Sequence, residues 1–192
     1  MITAMNARCL ALLCLLPTLL SGCYSLKKTV AGSKPLADQI NWPADYQPEA
    51  ARFFVHNEIA ITASAEQVWE VLIKADEWAD YYDGASDLLL QGDDAGRLQA
   101  NTVFTWRTMG QNFSSAIKEY EAPYRLSWLS EKENIQGYHA WLIVPTETGC
   151  TLVTSEVQHG PLAGIEKRFV PNKLHRLHDR WLAGIKYKAE NP

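Results

Sequence analysis

Alternation of apolar and polar positions begins abruptly at residue 53. Phe53-Phe54-Val55-His56-Asn57-Glu58-Ile59-Ala60-Ile61-Thr62 has the period of a strand. Ser64 and Gln67 stand at the spacing of a capping box, in which the Ser side chain accepts from the N3 amide and the N3 side chain bonds back. A helix is therefore predicted from there, with Val68, Leu72, Ala75 and Ala79 on one stripe. Trp78, Tyr81 and Tyr82 close the segment and Gly84 ends it. Six further strands are predicted near 86–91, 102–109, 112–121, 124–131, 135–144 and 151–159. Their separators carry turn chemistry: Asp93-Asp94-Ala95-Gly96, Gly110-Gln111, Ala122-Pro123 and Glu147-Thr148-Gly149. Connections this short join antiparallel neighbours, because parallel strands need long crossovers. Leu162, Ile165 and Phe169 suggest a short helical stretch, and Pro171 interrupts it before a longer helix. In that helix Leu174, Leu177, Trp181 and Ile185 form an apolar stripe suited to packing on a sheet. The expected fold class is α+β: a curved antiparallel sheet of about seven strands around a long C-terminal helix, with short helices after the first strand.

The first residues follow a different logic. Arg8 is the sole charge before the apolar run Cys9–Leu20, which also contains Pro17. The run falls short of the roughly 20 residues that span a bilayer and has the order of a secretory signal. It ends in Leu20-Ser21-Gly22-Cys23, which resembles the bacterial lipobox. That resemblance implies cleavage after residue 22 and acylation of Cys23 by palmitate-type chains. A plain signal peptide with a Cys near its cut site is the alternative. Two or more acyl chains anchor a protein durably, at about 0.8 kcal/mol per buried CH₂. Tyr24, rather than Asp, follows the Cys. By the same resemblance this leans toward the periplasmic face of the outer membrane if the organism is Gram-negative. Residues 1–22 are thus read as signal, 23–51 as lipidated Cys plus tether, and 52–192 as one folded domain. The tether holds Pro35, Pro43 and Pro48, and Leu36 to Trp42 offer apolar groups for packing on the domain.

Composition narrows the function classes. With 47% hydrophobic and 21% charged residues in 192, the chain is ordinary globular material. A net charge of −4 without a basic block argues against nucleic acid as partner. Cys9 and Cys14 leave with the signal and Cys23 is consumed by acylation, so Cys150 alone keeps a thiol and no disulfide framework exists. No phosphate loop, nucleophile elbow or zinc pattern is found. Asp93-Asp94-Ala95-Gly96 lacks the alternating ligands of a calcium loop. His175, His178 and Asp179 read as a solvated helix face. No cofactor or metal is expected.

Strand alternation sorts the faces. One consistent inward set is Phe104, Trp106 and Thr108; Phe113, Ser115 and Ile117; Leu126, Trp128 and Ser130; His139, Trp141 and Ile143; Leu152, Thr154 and Glu156. The opposite set holds Arg107, Lys118 and Arg125. Glu156 and His139 share the inward set, and His178 lies one turn after Leu174. Buried, such groups need partners. They are either a ligand-orienting or acid/base cluster, or a strand-edge carboxylate with two half-exposed imidazoles.

Ile59-x-Ile61-x-Ala63-Ser64-x-Glu66-x-Val68-Trp69 resembles the opening signature of the SRPBCC (START-like) superfamily, which includes the polyketide cyclase/dehydrase group. Leu126-Ser127-Trp128, the pair Trp141-x-Ile143-x-Pro145 and Gly149-Cys150-Thr151-Leu152-Val153-Thr154, and the stretches Gly160-Pro161-Leu162 and Leu182-x-x-Ile185-Lys186-x-x-Ala189-Glu190 resemble its later elements. The resemblance covers about 52–190. It implies a helix-grip fold with a cavity between sheet and helix. Phe104, Trp106, Phe113, Ile117, Trp128, His139, Trp141, Glu156, His178 and Trp181 are the candidate lining. The leading expectation is a membrane-anchored lipoprotein of the cell envelope that binds a hydrophobic small molecule or lipid, as carrier or sensor. A cyclase/dehydratase-like enzyme using Glu156 and His139 is one alternative, and an envelope interaction module with a filled core is another.

Overall fold

The computed structural model describes residues 35–92 and 95–192. The signal, Cys23 and the first part of the tether lie outside the described residues, as do Asp93 and Asp94. Seven strands form one antiparallel sheet in the order β1-β7-β6-β5-β4-β3-β2. They are β1 (Phe53–Ile61), β2 (Ala85–Gln91), β3 (Val103–Thr108), β4 (Gln111–Glu121), β5 (Arg125–Lys132), β6 (Ile135–Thr146) and β7 (Gly149–His159). Six are consecutive hairpin neighbours, and β1 returns to pair with β7. The chain neighbours β1 and β2 therefore sit at opposite edges, and the helices between them cross the open side. The β3–β4 hairpin turns on Met109 and Gly110, both at positive φ. That pair of left-handed residues gives a two-residue turn that matches the right-handed twist of the flanking strands, with Gly carrying none of the Cβ penalty.

α1 (Ala65–Ile73) is capped as the sequence predicts: Ser64 accepts from the Gln67 amide, and the Gln67 side chain accepts from the Ser64 N–H. The continuous stripe to Ala79 does not form. The chain breaks at Lys74, passes through a 3₁₀ turn at Ala75–Glu77, and resumes as α2 (Trp78–Tyr81), with Ala79 exposed. The break aims Trp78 into the core, where its indole N–H bonds the Leu72 carbonyl at 2.9 Å. α3 (Pro161–Phe169) and α4 (Lys173–Glu190) follow β7, separated at Pro171 as expected. The predicted stripe of α3 is overturned. Ile165 and Phe169 are 52% and 74% exposed, while Ala163 is buried and Leu162 and Glu166 are half-buried. Small side chains at Ala163 and Gly164 let this face lie close to the sheet's first strand, where Gly164 approaches Arg52. α4 buries Leu174, Leu177, His178, Trp181, Leu182, Ile185 and Ala189 against the concave face of the sheet.

Part of the segment read as tether is packed structure. Leu36–Gln39, Ala44–Tyr46 and Pro48–Ala50 are 3₁₀ turns, the first two lying on the outer face of the sheet. Ile40, with Leu36, Trp42 and Tyr46, covers Tyr138, Ala140, Leu142 and Val153. These strand residues face away from α4, so β6 and β7 are apolar on both faces because both are covered. Among the described residues, no helix is long and apolar enough to cross a membrane.

Candidate functional site

The inward set is buried as alternation predicts, except that Thr108 and Glu156 retain partial exposure. What it encloses is not a wide hollow. Trp78, Trp106, Trp128, Trp141 and Trp181 meet in the centre, with ring separations of 4.9 Å for Trp78–Trp181 and 5.0 Å for Trp141–Trp181. Tyr82 stacks on Trp181 at 4.4 Å. Phe104, Ile117, Trp128 and Trp141, expected as cavity lining, belong to this packed core. The remaining gap is half-open and encloses about 30 Å³, room for a water or two. Trp106, Phe113, His139, Glu156, His178 and Trp181 line it, as the sequence reading placed them. Indole rings are large enough to fill the space that the curvature of the sheet leaves, which strand alternation alone does not measure.

The pocket has a polar foot. His139 on β6 is the direct cross-strand partner of Glu156 on β7, and Trp128 on β5 stands opposite His139 in turn. α4 lowers His178 onto the same point. His139 Nδ1 lies 3.4 Å and His178 Nε2 3.5 Å from Glu156 Oε2. The His139 ring stacks on Trp141 at 5.2 Å, and its Nε2 shares a 2.7 Å hydrogen bond with Thr154 Oγ1. Gln158 Nε2 donates to Glu156 Oε1 at 2.8 Å. His178 is fully buried, yet neither of its ring nitrogens has a well-formed hydrogen bond. The indole N–H groups of Trp128, Trp141 and Trp181 are also buried without an acceptor, whereas Trp106 donates to Ser115 at 3.0 Å.

The environments of these groups set their charge. Burial pushes the His139 imidazole down to about 3, against the pull of Glu156, so His139 is neutral at ordinary pH. Burial would raise the Glu156 carboxyl, but the two imidazoles and the Gln158 amide outweigh it and hold the group below the usual range. A second carboxylate, Glu166 on α3, reaches the pocket and is pushed up by burial and by the charge of Glu156. Burial likewise raises the Tyr82 phenol.

Tyr82, Gln158, Glu166 and Leu174 also line the pocket and were not among the candidates. Glu166 was findable in principle, since it follows Leu162 by one helical turn. Gln158 follows Glu156 by two in the same strand. The pair His175 and Asp179 is half-exposed at the seam of α4 with β1, where Asp179 accepts from Asn57 at 2.7 Å. It takes no part in the pocket.

A curved antiparallel sheet gripping a C-terminal helix, with its polar groups at the sheet–helix gap, defines the helix-grip class. Residues 52–190 match the family described as polyketide cyclase / dehydrase and lipid transport, and the chain belongs to it. A hypothetical protein of Helicobacter pylori has a similar structure, with 27% identity over 78% of this chain and 95% of that one and a TM-score of 0.73. The di-domain ARO/CYC BexL from the BE-7585A biosynthetic pathway aligns at 18% identity over 73% of this chain and 50% of its own, TM-score 0.59. Norcoclaurine synthase from Thalictrum flavum, in complex with dopamine and hydroxybenzaldehyde, aligns at 18% identity over 70% of this chain and 84% of its own, TM-score 0.54. At such identities the last two share the fold with this chain. No curated protein matches the chain significantly.

Proposed function

We propose that the protein binds a small, largely apolar molecule bearing a hydroxyl or carbonyl, between the sheet and α4. The observation that carries this reading is the buried cluster of His139, Glu156 and His178 at the foot of an apolar pocket. Burying a carboxylate and two imidazoles is costly unless each is paired or hydrogen-bonded, and here the His178 ring nitrogens are left without a well-formed hydrogen bond at the pocket. Trp106, Phe113 and Trp181 would supply the apolar walls and the cluster would orient the polar end. A guest must widen a gap of about 30 Å³. The rim offers least resistance at α3, which buries only Ala163 fully. The dense indole packing also suits an interaction module without ligand; the polar foot is what favours binding.

In this reading Cys23 is acylated and holds the domain at the cell envelope, on the periplasmic face of the outer membrane if the organism is Gram-negative. Mass spectrometry of the N-terminal peptide tests the anchor: a diacyl or triacyl mass on Cys23 is expected, and an unmodified N-terminus elsewhere excludes it. Native mass spectrometry of the acyl-free domain, produced in the source organism, tests the guest. A retained adduct that Glu156→Gln weakens is expected. Empty protein that also takes up no fluorescent lipid probe overturns the reading.

A second reading is acid/base catalysis on such a guest. Its support is the opposite displacement of two carboxylates in one pocket, Glu156 downward and Glu166 upward, which would pair a base with an acid. Product loss in Glu156→Gln with binding retained favours it; turnover unchanged in that variant removes it.

A further inference from the structure

We propose that His139, Glu156 and His178 bind a divalent transition-metal ion, leaving a fourth coordination position open to the pocket. The inference rests on the binding reading above and deepens it, since the ion would sit in the same cluster as the polar anchor for a guest.

Spacing is the first. One ligand atom from each residue lies within 4.8 Å of the other two. A charge-assisted hydrogen bond between imidazole and carboxylate closes to about 2.7–2.9 Å. The observed separations, 3.4 Å and 3.5 Å, are too long for that. These two imidazole–carboxylate edges agree with a tetrahedral ion, where bonds of about 2.0–2.2 Å put neighbouring ligand atoms roughly 3.3–3.5 Å apart, and the third edge lies within 4.8 Å.

The second is the unmet group. His178 is 1% exposed with neither ring nitrogen in a well-formed hydrogen bond, and its Nε2 faces the carboxylate. An unmet buried polar atom is unfavourable, and coordination through Nε2 would satisfy it.

The third is support from behind. Metal-bound imidazoles usually donate their other N–H to a neighbour, which fixes the tautomer and ring orientation. Thr154 Oγ1 is placed to accept from His139 Nε2, which frees the Nδ1 lone pair toward Glu156. The Gln158 amide occupies Glu156 Oε1 and leaves Oε2 to the imidazoles. The ligands come from β6, β7 and α4, three elements packed into one core. Two imidazoles and one carboxylate suit Zn²⁺ or Fe²⁺ rather than the all-oxygen shells of Ca²⁺ or Mg²⁺.

The test uses the full-length protein in detergent, stripped with a chelator and without any organic guest. Zn²⁺ is titrated by calorimetry and Co²⁺ by visible absorption. One ion per chain is expected, with the intense visible bands of four-coordinate Co²⁺. Affinity should fall at least 100-fold in His178→Gln and in Glu156→Gln, and about 10–100-fold in Thr154→Val. His175→Ala, outside the pocket at the seam of α4 with β1, should leave it unchanged. Circular dichroism checks that each variant folds, and where one does not, the wild-type Co²⁺ spectrum decides. No saturable binding, a six-coordinate or thiolate-type Co²⁺ spectrum, or affinity unaltered in folded His178→Gln and Glu156→Gln overturns the proposal. Loss of the metal reading with an adduct still seen by native mass spectrometry would leave the small-molecule reading standing.

Discussion

Gly137 and Glu156 occupy one volume: a Cβ at position 137 would stand 2.7 Å from Glu156 Oε1. Gly137 is in the inward register of β6, two residues from His139. A side chain there would force the carboxylate away from the two imidazoles. Gly137→Ala should therefore keep the fold, as judged by circular dichroism, and weaken Zn²⁺ binding at least tenfold. Adding Glu156→Asp, with a shorter side chain, should restore part of the loss. Unaltered affinity in the single variant would mean that the carboxylate does not need this position.

The tryptophan centre makes a stability prediction. Trp181 touches Tyr82, Trp78 and Trp141 within 4.4–5.0 Å. Trp181→Ala removes a fully buried indole and should cost about 3–5 kcal/mol in urea denaturation. The void it leaves should raise uptake of an apolar fluorescent probe. A loss below about 1 kcal/mol would show that the core collapses around the gap.

Residues 36–50 should behave as part of the domain. A chain beginning at Arg52 would expose Tyr138, Leu142 and Val153 on the outer face of β6 and β7. It should unfold at a lower midpoint than a chain beginning at Lys34 and should bind a hydrophobic dye. Ile40→Ala in the longer chain should cost about 2 kcal/mol. Equal midpoints for the two chains would show that the segment only rests on the sheet.

The N-cap of α1 is a local test. Ser64→Ala removes the acceptor for the Gln67 amide and should lower stability by about 1 kcal/mol. Ser64→Asp should retain most of it, and an alanine variant as stable as wild type would deny the cap any role.

Acid sensitivity should trace in part to Glu190. Its carboxylate accepts from the Thr62 N–H and hydroxyl, each at 2.8 Å, and pairs with Lys186 at 2.9 Å. The Thr62 amide first, then Lys186, hold its pKa down to about 2, against about 4.3 unfolded. The stabilisation is complete above about pH 4.3 and is lost as pH falls through about 2. Denaturation midpoints measured from pH 5 to 2 should decline less steeply in Glu190→Gln. Parallel curves would deny this group a role.

Much of this architecture was legible in the sequence because its signals are local. Period-two alternation from Phe104 to Glu156 identified the buried face, since neighbouring side chains in a strand must point opposite ways. Ser64 and Gln67 marked a helix start, and Pro171 a helix break, through backbone chemistry within a few residues. The same periodicities put His139 and Glu156 in the inward register, while His178, read with His175 and Asp179 as a solvated helix face, is in fact buried. Four things needed the tertiary structure. Ala79, Ile165 and Phe169 lie on a helical period but not on a buried face, because contact with a neighbouring element decides which side of a short helix is covered. The packing of Ile40 on Tyr138 joins residues distant in sequence. Whether the interior is hollow depends on the sum of side-chain volumes against the curvature of the sheet, and the indole rings of five strand and helix positions close most of it. The approach of each imidazole to within 3.5 Å of the carboxylate was decided last, by the seating of α4 on the sheet.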